Sequence, residues 1–411
     1  MLKICDNDLC TGCMACANAC AQNAIRMLPN SEGFLYPVVD ESLCKNCGLC
    51  SRICPNNNPI AKEEPKAVYS GWSKDENLRM QSSSGGAFSE IALQTLRHGG
   101  VVFGCVLNEK LNVEHTFVEN ESDLEKIRGS KYVQSYIGDS YKKARSFLNE
   151  GRGVLFSGTS CQIAGLKAFL KKEYSNLLTV DIICHGVPSP RVWKDYIKYI
   201  EDVYADKIDS VKFRSKKYSW LFFGMNISFK ESEKIYFGEY YKDPYIRGFL
   251  RDYFLRPSCP TCHYTSTARV SDFTIADWWG YRKQNEKDKD FQYKGVSLIL
   301  ANSSKALDVV KNLNMELRER NVEEAKKTNL CLSKPFPKNP LREKFWEDYN
   351  SKSFADVVSM YMMPEKKHWS VLYLQKHKNT DRLIKLIRLL TIPSRAYNKF
   401  FPDLREGDYE I

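Results

Sequence analysis

Two matching runs of cysteine near the N-terminus set the strongest limit on how this chain can fold. Each run has the form Cys-x-x-Cys-x-x-Cys-x-x-x-Cys, and Pro55 directly follows the second. Three thiolates at this spacing can hold three corners of an iron–sulfur cubane, while the fourth binds the cluster of the other run. The pattern therefore predicts two 4Fe-4S clusters. The eight cysteines are Cys10, Cys13, Cys16 and Cys20 in the first run and Cys44, Cys47, Cys50 and Cys54 in the second.

Crossed ligation exchanges the last cysteine of each run. It assigns one cluster to Cys10, Cys13, Cys16 and Cys54, and the other to Cys44, Cys47, Cys50 and Cys20. Zinc sites usually pair cysteines two by two, often with histidine, and disulfides need an oxidising compartment, so neither alternative fits. Cys5 lies outside the repeat and is interpreted as a thiol without a role. The module, residues 1–60, resembles a two-cluster bacterial ferredoxin.

The length of the chain shows that the ferredoxin-like module is a small part of it. At roughly 150 residues per domain, 411 residues predict about two to three domains. Hydrophobic residues at 43% and charged residues at 27% are ordinary for a globular protein. The N-terminus has no apolar signal region, and the longest uncharged stretch, 153–166, is shorter than the ~18 residues of a membrane span. These features predict a cytoplasmic, reducing location.

Positive charge is concentrated near the C-terminus. The formal net charge is +11, and the segment 366–399 contains nine lysines or arginines and one acid, Asp381. Residues 381–390 form an amphipathic pattern, which either lies on an anionic membrane surface or packs on its own domain with a solvated basic face. No recognisable nucleic-acid-binding motif accompanies these charges, so we expect no nucleic-acid partner.

A Ser/Gly loop marks the start of the second domain. Residues 67–72 are predicted to form a strand, and the loop 81–86 leads into a predicted helix at 87–96. Exposed N–H groups and small side chains at a helix start suit a phosphate, although an ordinary helix cap has the same features. Lys131, in a second polar segment at 128–135, either neutralises a cofactor phosphate or is a solvated side chain at a strand edge.

Four further cysteines follow predicted strands or lie in loops. They are Cys161, Cys184, Cys259 and Cys262. Cys161 falls near a helix start, where the thiolate that binds metal is favoured. Each of the four could instead be a small buried hydrophobe, and the last two could form a zinc corner.

These loops together resemble the beta-subunit family of coenzyme F420 hydrogenases and dehydrogenases. The resemblance extends from about Ala67 to at least Trp279 and rests on six ordered motifs. They are Ser-Ser-Ser-Gly-Gly at 82–86, Gly-Ser-Lys-Tyr-Val-Gln-Ser at 129–135, Gly-Thr-Ser-Cys-Gln at 158–162, Cys-His-Gly at 184–186, Cys-x-x-Cys at 259–262, and Ser-Asp-Phe-Thr-Ile-Ala-Asp-Trp-Trp-Gly at 271–280.

The resemblance implies an FAD-binding α/β domain that carries a 4Fe-4S cluster of its own. The expected fold class is α+β: a ferredoxin module at 1–60, family N-terminal and C-terminal regions at 66–142 and 143–320, and a helical basic tail at 321–411. By position, Cys161, Cys184, Cys259 and Cys262 would bind the third cluster. The flavin would be surrounded by Ser83, Ser84, Gly85, Gly86, Lys131, Ser135, Gly158, Thr159 and Gln162. Ser160 departs from the family pattern, which has proline there.

The function that follows is electron transfer by an iron–sulfur flavoprotein. Clusters carry single electrons, whereas a flavin exchanges one or two. Expected partners are a redox protein such as ferredoxin and a low-molecular-weight hydride acceptor or donor, either coenzyme F420 or another conjugated substrate. The alternative is an electron-transfer subunit that feeds a partner enzyme, in the context of surface-polysaccharide synthesis. His185 and His263 are either proton carriers or structural residues, and Trp278 and Trp279 either cover a ring system or pack in the core.

Overall fold

The computed structural model describes residues 3–281 and 294–363. The amphipathic segment 381–390 and the rest of the predicted basic tail from residue 364 onward lie outside the described residues. No helix within the described ranges is both long and apolar enough to cross a lipid bilayer.

Thirteen strands are described in these ranges. In the ferredoxin module they are β1 (Ile25–Pro29) and β2 (Leu35–Val39). The strands that follow are β3 (Ala67–Ser73), β4 (Val101–Leu107), β5 (Val113–Val118), β6 (Val154–Thr159), β7 (Leu177–Ile182), β8 (Ile208–Ser215), β9 (Gly224–Phe229), β10 (Ile235–Glu239), β11 (Phe273–Asp277), β12 (Ser297–Ala301) and β13 (Met315–Arg320).

The α-helices of the same ranges are mostly short. They are α1 (Ala15–Ala19), α2 (Leu49–Arg52), α3 (Glu76–Gln81), α4 (Ala87–Arg97), α5 (Leu124–Ile127), α6 (Ser140–Asn149), α7 (Ser160–Leu170), α8 (Pro190–Tyr204), α9 (Pro244–Leu250), α10 (Ser304–Val310), α11 (Val322–Lys326), α12 (Arg342–Ser351) and α13 (Phe354–Val357). Short 3-10 turns lie at Glu121–Asp123, Cys259–Thr261 and Leu330–Leu332, and a π-helical turn lies at Val358–Met362.

One large mixed sheet organises the second domain, so the fold combines a ferredoxin-like region with an α/β unit. Its eight strands run in the order β13-β3-β12-β11-β7-β6-β4-β5. The neighbours β4, β6, β7 and β11 are parallel, whereas the outer pairs are antiparallel. Because parallel strands end on the same side, the carboxyl ends of β6, β7 and β11 meet at one edge, where α/β sheets usually bind ligands. A separate antiparallel sheet has the order β10-β9-β8.

The strand predicted at 67–72 is present as β3, and the helix predicted at 87–96 is present as α4, each ending one residue later than predicted. Helix α7 begins at Ser160 because Thr159 and Gln162 form a capping box. It ends at Leu170 because Lys171 adopts a left-handed conformation with φ of 62°. Apolar β6 is buried in its first half, which is typical of a strand covered on both faces.

The ferredoxin module packs firmly against the large sheet domain. Met14 is 4% exposed and belongs to a core cluster that includes residues of β4, β6 and α7. Asn18 Nδ2 donates to the Gly138 carbonyl at 2.9 Å. At the hairpin, Arg342 Nη1 donates to Glu32 Oε1 at 2.9 Å. Apolar packing and polar contacts therefore fix the module in a defined position on the domain.

Candidate iron–sulfur and cofactor site

Four thiols of the ferredoxin module lie together beside the large domain; we call them the inner set. They are Cys10, Cys13, Cys16 and Cys54, each at most 9% exposed. Burial raises the pKa of Cys13 to about 12, and negative charge on Cys10 and Cys54 acts in the same direction. Burial also raises the pKa of Cys16 well above its usual value, again with a contribution from Cys54. The structure thus places Cys54 of the second run beside three cysteines of the first.

Cys5, which the sequence pattern left without a role, lies at the inner set. A hydrogen bond with the Cys5 thiol is the main reason why the pKa of Cys10 falls to about 6. The same kind of contact lowers the pKa of Cys54 to about 7. Cys5 is five residues before the motif, so no spacing rule could have indicated this contact.

The remaining four thiols of the module form the outer set, closer to solvent. They are Cys20, Cys44, Cys47 and Cys50. Cys47 is exposed, and Cys20 and Cys44 are partly buried. Burial raises the pKa of Cys50, and negative charge on Cys47 and Cys20 adds to that shift. Cys20 of the first run therefore lies near cysteines of the second.

The four scattered cysteines of the large domain also come together, and we call them the third set. They are Cys161, Cys184, Cys259 and Cys262. Burial raises the pKa of Cys184 well above its usual value, with added contributions from the charges of the other three. Backbone N–H groups approach two of the sulfurs: Val187 N lies 3.3 Å from Cys259 Sγ, and Tyr264 N lies 3.4 Å from Cys262 Sγ. Such N–H···S contacts are one means by which proteins tune iron–sulfur clusters.

The inner and third sets are close neighbours. Gly165 on α7 lies against Cys13, since a Cβ at Gly165 would fall 3.1 Å from Cys13 Sγ. Cys161 is the second residue of the same helix, and its negative charge contributes to the raised pKa of Cys13. The α1–α7 contact therefore brings a ligand of the ferredoxin module next to the third set.

A cavity of about 400 Å³ opens at the carboxyl edge of the parallel strands. Thr159, Ile182 and Asp277, the last residues of β6, β7 and β11, all line it. Its walls contain every residue predicted to surround the flavin except Gly85, together with Cys161 and Cys184. Motifs far apart in sequence thus meet at one site, and its volume lies within the usual range for small-molecule and cofactor sites.

The Ser/Gly loop forms one wall of the cavity and is held by neighbouring backbone. Ser84 Oγ donates to the Val296 carbonyl at 2.8 Å, and Ser130 N donates to Ser83 Oγ at 3.0 Å. A Cβ at Gly85 would lie 2.4 Å from the Gly71 carbonyl oxygen, so only glycine fits there. Gly86, at φ of 100°, leads directly into α4. The predicted passage from the Ser/Gly loop into a helix is present.

The loop after β6 is tied together by its own predicted residues. Thr159 N donates to Gln162 Oε1 at 2.9 Å, and Gln162 Nε2 donates to Ser135 Oγ at 2.9 Å. Ser160 Oγ accepts a hydrogen bond from Arg269 Nη2 at 2.6 Å. Ser160, where the resemblance led us to expect proline, therefore has a buried partner and anchors the start of α7.

Two basic residues line the cavity: Lys131 is partly buried, and His115 is buried. Lys131 Nζ donates to the Arg128 carbonyl at 2.8 Å, and burial lowers its pKa. His115, which the sequence did not single out, has its pKa lowered by burial to about 4. Its Nε2 is bonded to the Ser157 carbonyl at 3.1 Å, whereas its buried Nδ1 has no hydrogen-bond partner in the described protein.

The aromatic and histidine candidates take different places. Trp278 is fully buried in the core, as one of its two interpretations required. Trp279 lines the cavity and stacks on Trp220 with ring centroids 5.0 Å apart. His185 also lines the cavity, and its Nε2 lies 2.6 Å from Asp252 Oδ1. The carbonyl of His263 accepts a hydrogen bond from Lys62 Nζ.

Cys331 was not expected to be near the site. It lines the cavity, and its charge contributes to the raised pKa of Cys184. Across residues 3–281 and 294–363, no three His, Cys, Asp or Glu side chains are gathered closely enough for a single metal ion.

Comparison with known proteins identifies the two parts of the chain. Residues 9–58 match a 4Fe-4S dicluster domain. Residues 68–139 match the N-terminal region, and residues 151–326 the C-terminal region, of the coenzyme F420 hydrogenase/dehydrogenase beta subunit. A search of curated proteins found no match.

A distant structural similarity was also found. A chain in the xenon-derivatised F420-reducing NiFe hydrogenase complex from Methanosarcina barkeri aligns with 71% of this chain and 94% of its own. The sequence identity is 13% and the TM-score is 0.44, so the similarity supports no conclusion about function.

The chain is an iron–sulfur protein with an N-terminal dicluster module. It belongs to the coenzyme F420 hydrogenase/dehydrogenase beta-subunit family, whose two regions together match more than half of its length. Its class is that of an electron-transferring oxidoreductase, and the recognition made from the motifs is confirmed.

Proposed function

We propose that the chain is an iron–sulfur flavoprotein with three 4Fe-4S clusters and FAD. It passes electrons between a redox protein, such as a ferredoxin, and coenzyme F420 or another conjugated organic substrate. The observation that carries the proposal is the shared position of Cys161, Cys184 and the Ser/Gly loop in the walls of one cavity, beside Cys13 of the ferredoxin module.

The three cysteine sets suit three clusters in a row. The outer set is nearest to solvent, the inner set is buried, and the third set reaches the cavity wall. In this arrangement, electrons from a carrier enter at the outer set and leave at the cavity. If the organic substrate is the electron donor, electrons pass in the opposite direction. When bound, the clusters would carry single electrons and FAD would exchange them for a hydride.

The cavity residues suit FAD by charge and hydrogen bonding. The Ser/Gly loop before α4 presents small side chains at a helix start, where phosphate is favoured. The buried Nδ1 of His115 and Nε of Arg128 lack hydrogen-bond partners within the described protein, and both residues line the cavity. A bound polar cofactor would give such buried groups partners that they otherwise lack.

Other residues of the cavity suit a conjugated substrate. The cavity lining includes Trp279, Phe249 and Phe336, and the Arg214 guanidinium is centred 5.0 Å from the Trp279 ring. Arg214 is also paired with Asp277 at 3.2 Å, which holds the charge at the cavity edge. Aromatic faces beside this ion pair would favour a flat, conjugated molecule and exclude water from it.

The test is a stoichiometry followed by a single turnover. Anaerobically purified protein should contain roughly twelve irons and one flavin per chain. After reduction by reduced ferredoxin and removal of excess reductant, coenzyme F420 or another conjugated acceptor should reoxidise the protein without any other protein present. Eight irons would remove the third cluster, and absence of flavin after reconstitution would remove the FAD site.

The second candidate function is that of an electron-transfer subunit, because the matched family is described as a beta subunit. In that case the chain relays electrons to a partner enzyme and has no substrate of its own. Reoxidation would then require a macromolecular fraction of cell extract and would fail with the dialysable fraction. The same reduced protein therefore distinguishes the enzyme from the relay.

A further inference from the structure

Arg256 is buried between the inner and third sets. It is 1% exposed and lies three residues before Cys259. Its Nε donates to the Cys10 carbonyl at 2.7 Å, and its Nη2 donates to the Leu35 carbonyl at 3.0 Å. A Cβ at Gly12 would fall 2.9 Å from its Nη1. The guanidinium therefore extends from the large domain into the loop that carries the first inner cysteines.

The charge of Arg256 lacks the partner that similar buried arginines have. Arg214, Arg269 and Arg342 pair with Asp277, Asp181 and Glu32 respectively. Among the described residues, no carboxylate forms an ion pair with Arg256, and its buried Nη1 has no hydrogen-bond partner. Its other close neighbours are the rings of Tyr36 and Phe34, centred 4.3 and 5.5 Å from Cζ.

An isolated buried cation is costly, so a compensating negative charge is expected nearby. Among the described residues, the contacts of Arg256 indicate thiolates as the candidates. Cys10 carries the carbonyl that Arg256 binds, and Cys259 lies on the next turn of the same loop. Two 4Fe-4S clusters with thiolate ligands would supply that negative charge on both sides of the guanidinium.

We propose that Arg256 is the countercharge shared by the inner cluster and by the cluster of the third set, and that it keeps both reduction potentials higher than a neutral side chain would. The inference rests on the proposed third cluster for its second half. A reduced cluster is more negative than an oxidised one, so a nearby cation stabilises the reduced form. Arg256 is a positioning residue, since it acts through the clusters.

The test compares the neutral variants Arg256→Gln and Arg256→Met with the charged variant Arg256→Lys. Each protein is titrated with reductant, and the clusters are followed by electron paramagnetic resonance. Two of three midpoints should become more negative in both neutral variants, while the outer one stays unchanged, and Arg256→Lys should show a smaller shift. Arg256→Met keeps an apolar side chain that can pack against the rings of Tyr36 and Phe34, so it carries the test if Arg256→Gln does not fold.

Arg191→Gln is the matched control. Arg191 Nη1 also donates across the module interface, to the Ser31 carbonyl at 2.6 Å, but at an exposed position in the hairpin. Its loss should leave all midpoints unchanged. If the neutral Arg256 variants keep their full iron content and unshifted midpoints, the proposed role is wrong. If unmutated protein holds eight irons, the third cluster is wrong, and the inner midpoint alone then decides the role of Arg256.

Discussion

The inner and outer sets of the ferredoxin module have the same spacing in sequence and different surroundings in the structure. Every inner thiol is at most 9% exposed and lies near the large domain, whereas Cys47 of the outer set faces solvent. A repeated motif would give two equivalent clusters if the module were isolated. Docking of the module makes them unequal: one is suited to meeting a partner, and the other to passing electrons inward.

The largest effects are expected when one ligand is removed from each set, which tests whether the two sets differ in function. Cys13→Ser should abolish electron passage to the cavity and lower the yield of folded protein, because Cys13 packs against α7 at the module interface. Cys47→Ser should lose only the outer cluster, leaving roughly eight irons. Iron content and flavin bleaching would be measured with two donors, ferredoxin and dithionite.

The donor separates the two variants. Cys47→Ser should lose reduction by ferredoxin and keep slow reduction by dithionite, which can reach the inner clusters without docking. Equal behaviour of the two variants with both donors would show that the sets are interchangeable and that the difference in burial has no functional meaning.

The next test asks whether the inner set leads to a third cluster. Cys262→Ser should reduce the iron content from roughly twelve to eight per chain and leave the ferredoxin-type signals intact. Cys331→Ser is the control, since Cys331 is also buried beside Cys184 but is not part of the family motif. Loss of iron in the Cys331 variant would move the third cluster to a different ligand set.

A smaller effect is expected from the contact that holds the hairpin in place. Glu32→Gln leaves the buried Arg342 side chain, 7% exposed, without its carboxylate. Removing one partner of a buried pair should lower the free energy of unfolding by about 3 kcal/mol. Denaturant unfolding would measure it, with the exposed Glu64→Gln as control. A loss below about 1 kcal/mol would mean that apolar packing alone docks the module.

The sequence predicted which residues group into motifs better than it predicted the long-range contacts around them. The cysteine spacing predicted which thiols of the module gather in two sets of four, and the strand pattern placed Cys161 and Cys184 at strand ends, because both depend on neighbouring residues. The contacts of Cys5, His115 and Arg256 depend on how distant segments pack, and no local pattern encodes them. The departure at Ser160 could be noted in sequence, but its partner Arg269, 109 residues away, could be found only in the fold.

The smallest expected effect is a loss of folding stability in mild acid, which arises from buried His115 and not from the solvent-facing outer set. Burial holds the pKa of His115 at about 4, below its ordinary value of about 6.5. Below pH 6.5 the unfolded chain takes up a proton that folded His115 does not. Its neutral state therefore gives full stability above pH 6.5 and loses it progressively as the pH falls toward 4. At pH 5.5 the loss is about 1.4 kcal/mol.

Unfolding free energies at pH 7.5 and 5.5 would be compared for the wild type, His115→Asn and the exposed His98→Asn. His115→Asn should remove about 1.4 kcal/mol of the pH dependence, whatever its stability at pH 7.5, and His98→Asn should keep it. Comparing the change between the two pH values among the three proteins cancels cluster loss that all three share. An unchanged pH dependence in His115→Asn would mean that His115 is hydrated in the folded protein. Water in the cavity would then reach the buried side of the molecule. The contrast with the solvent-facing outer set would be weaker than the burial of the inner thiols indicates.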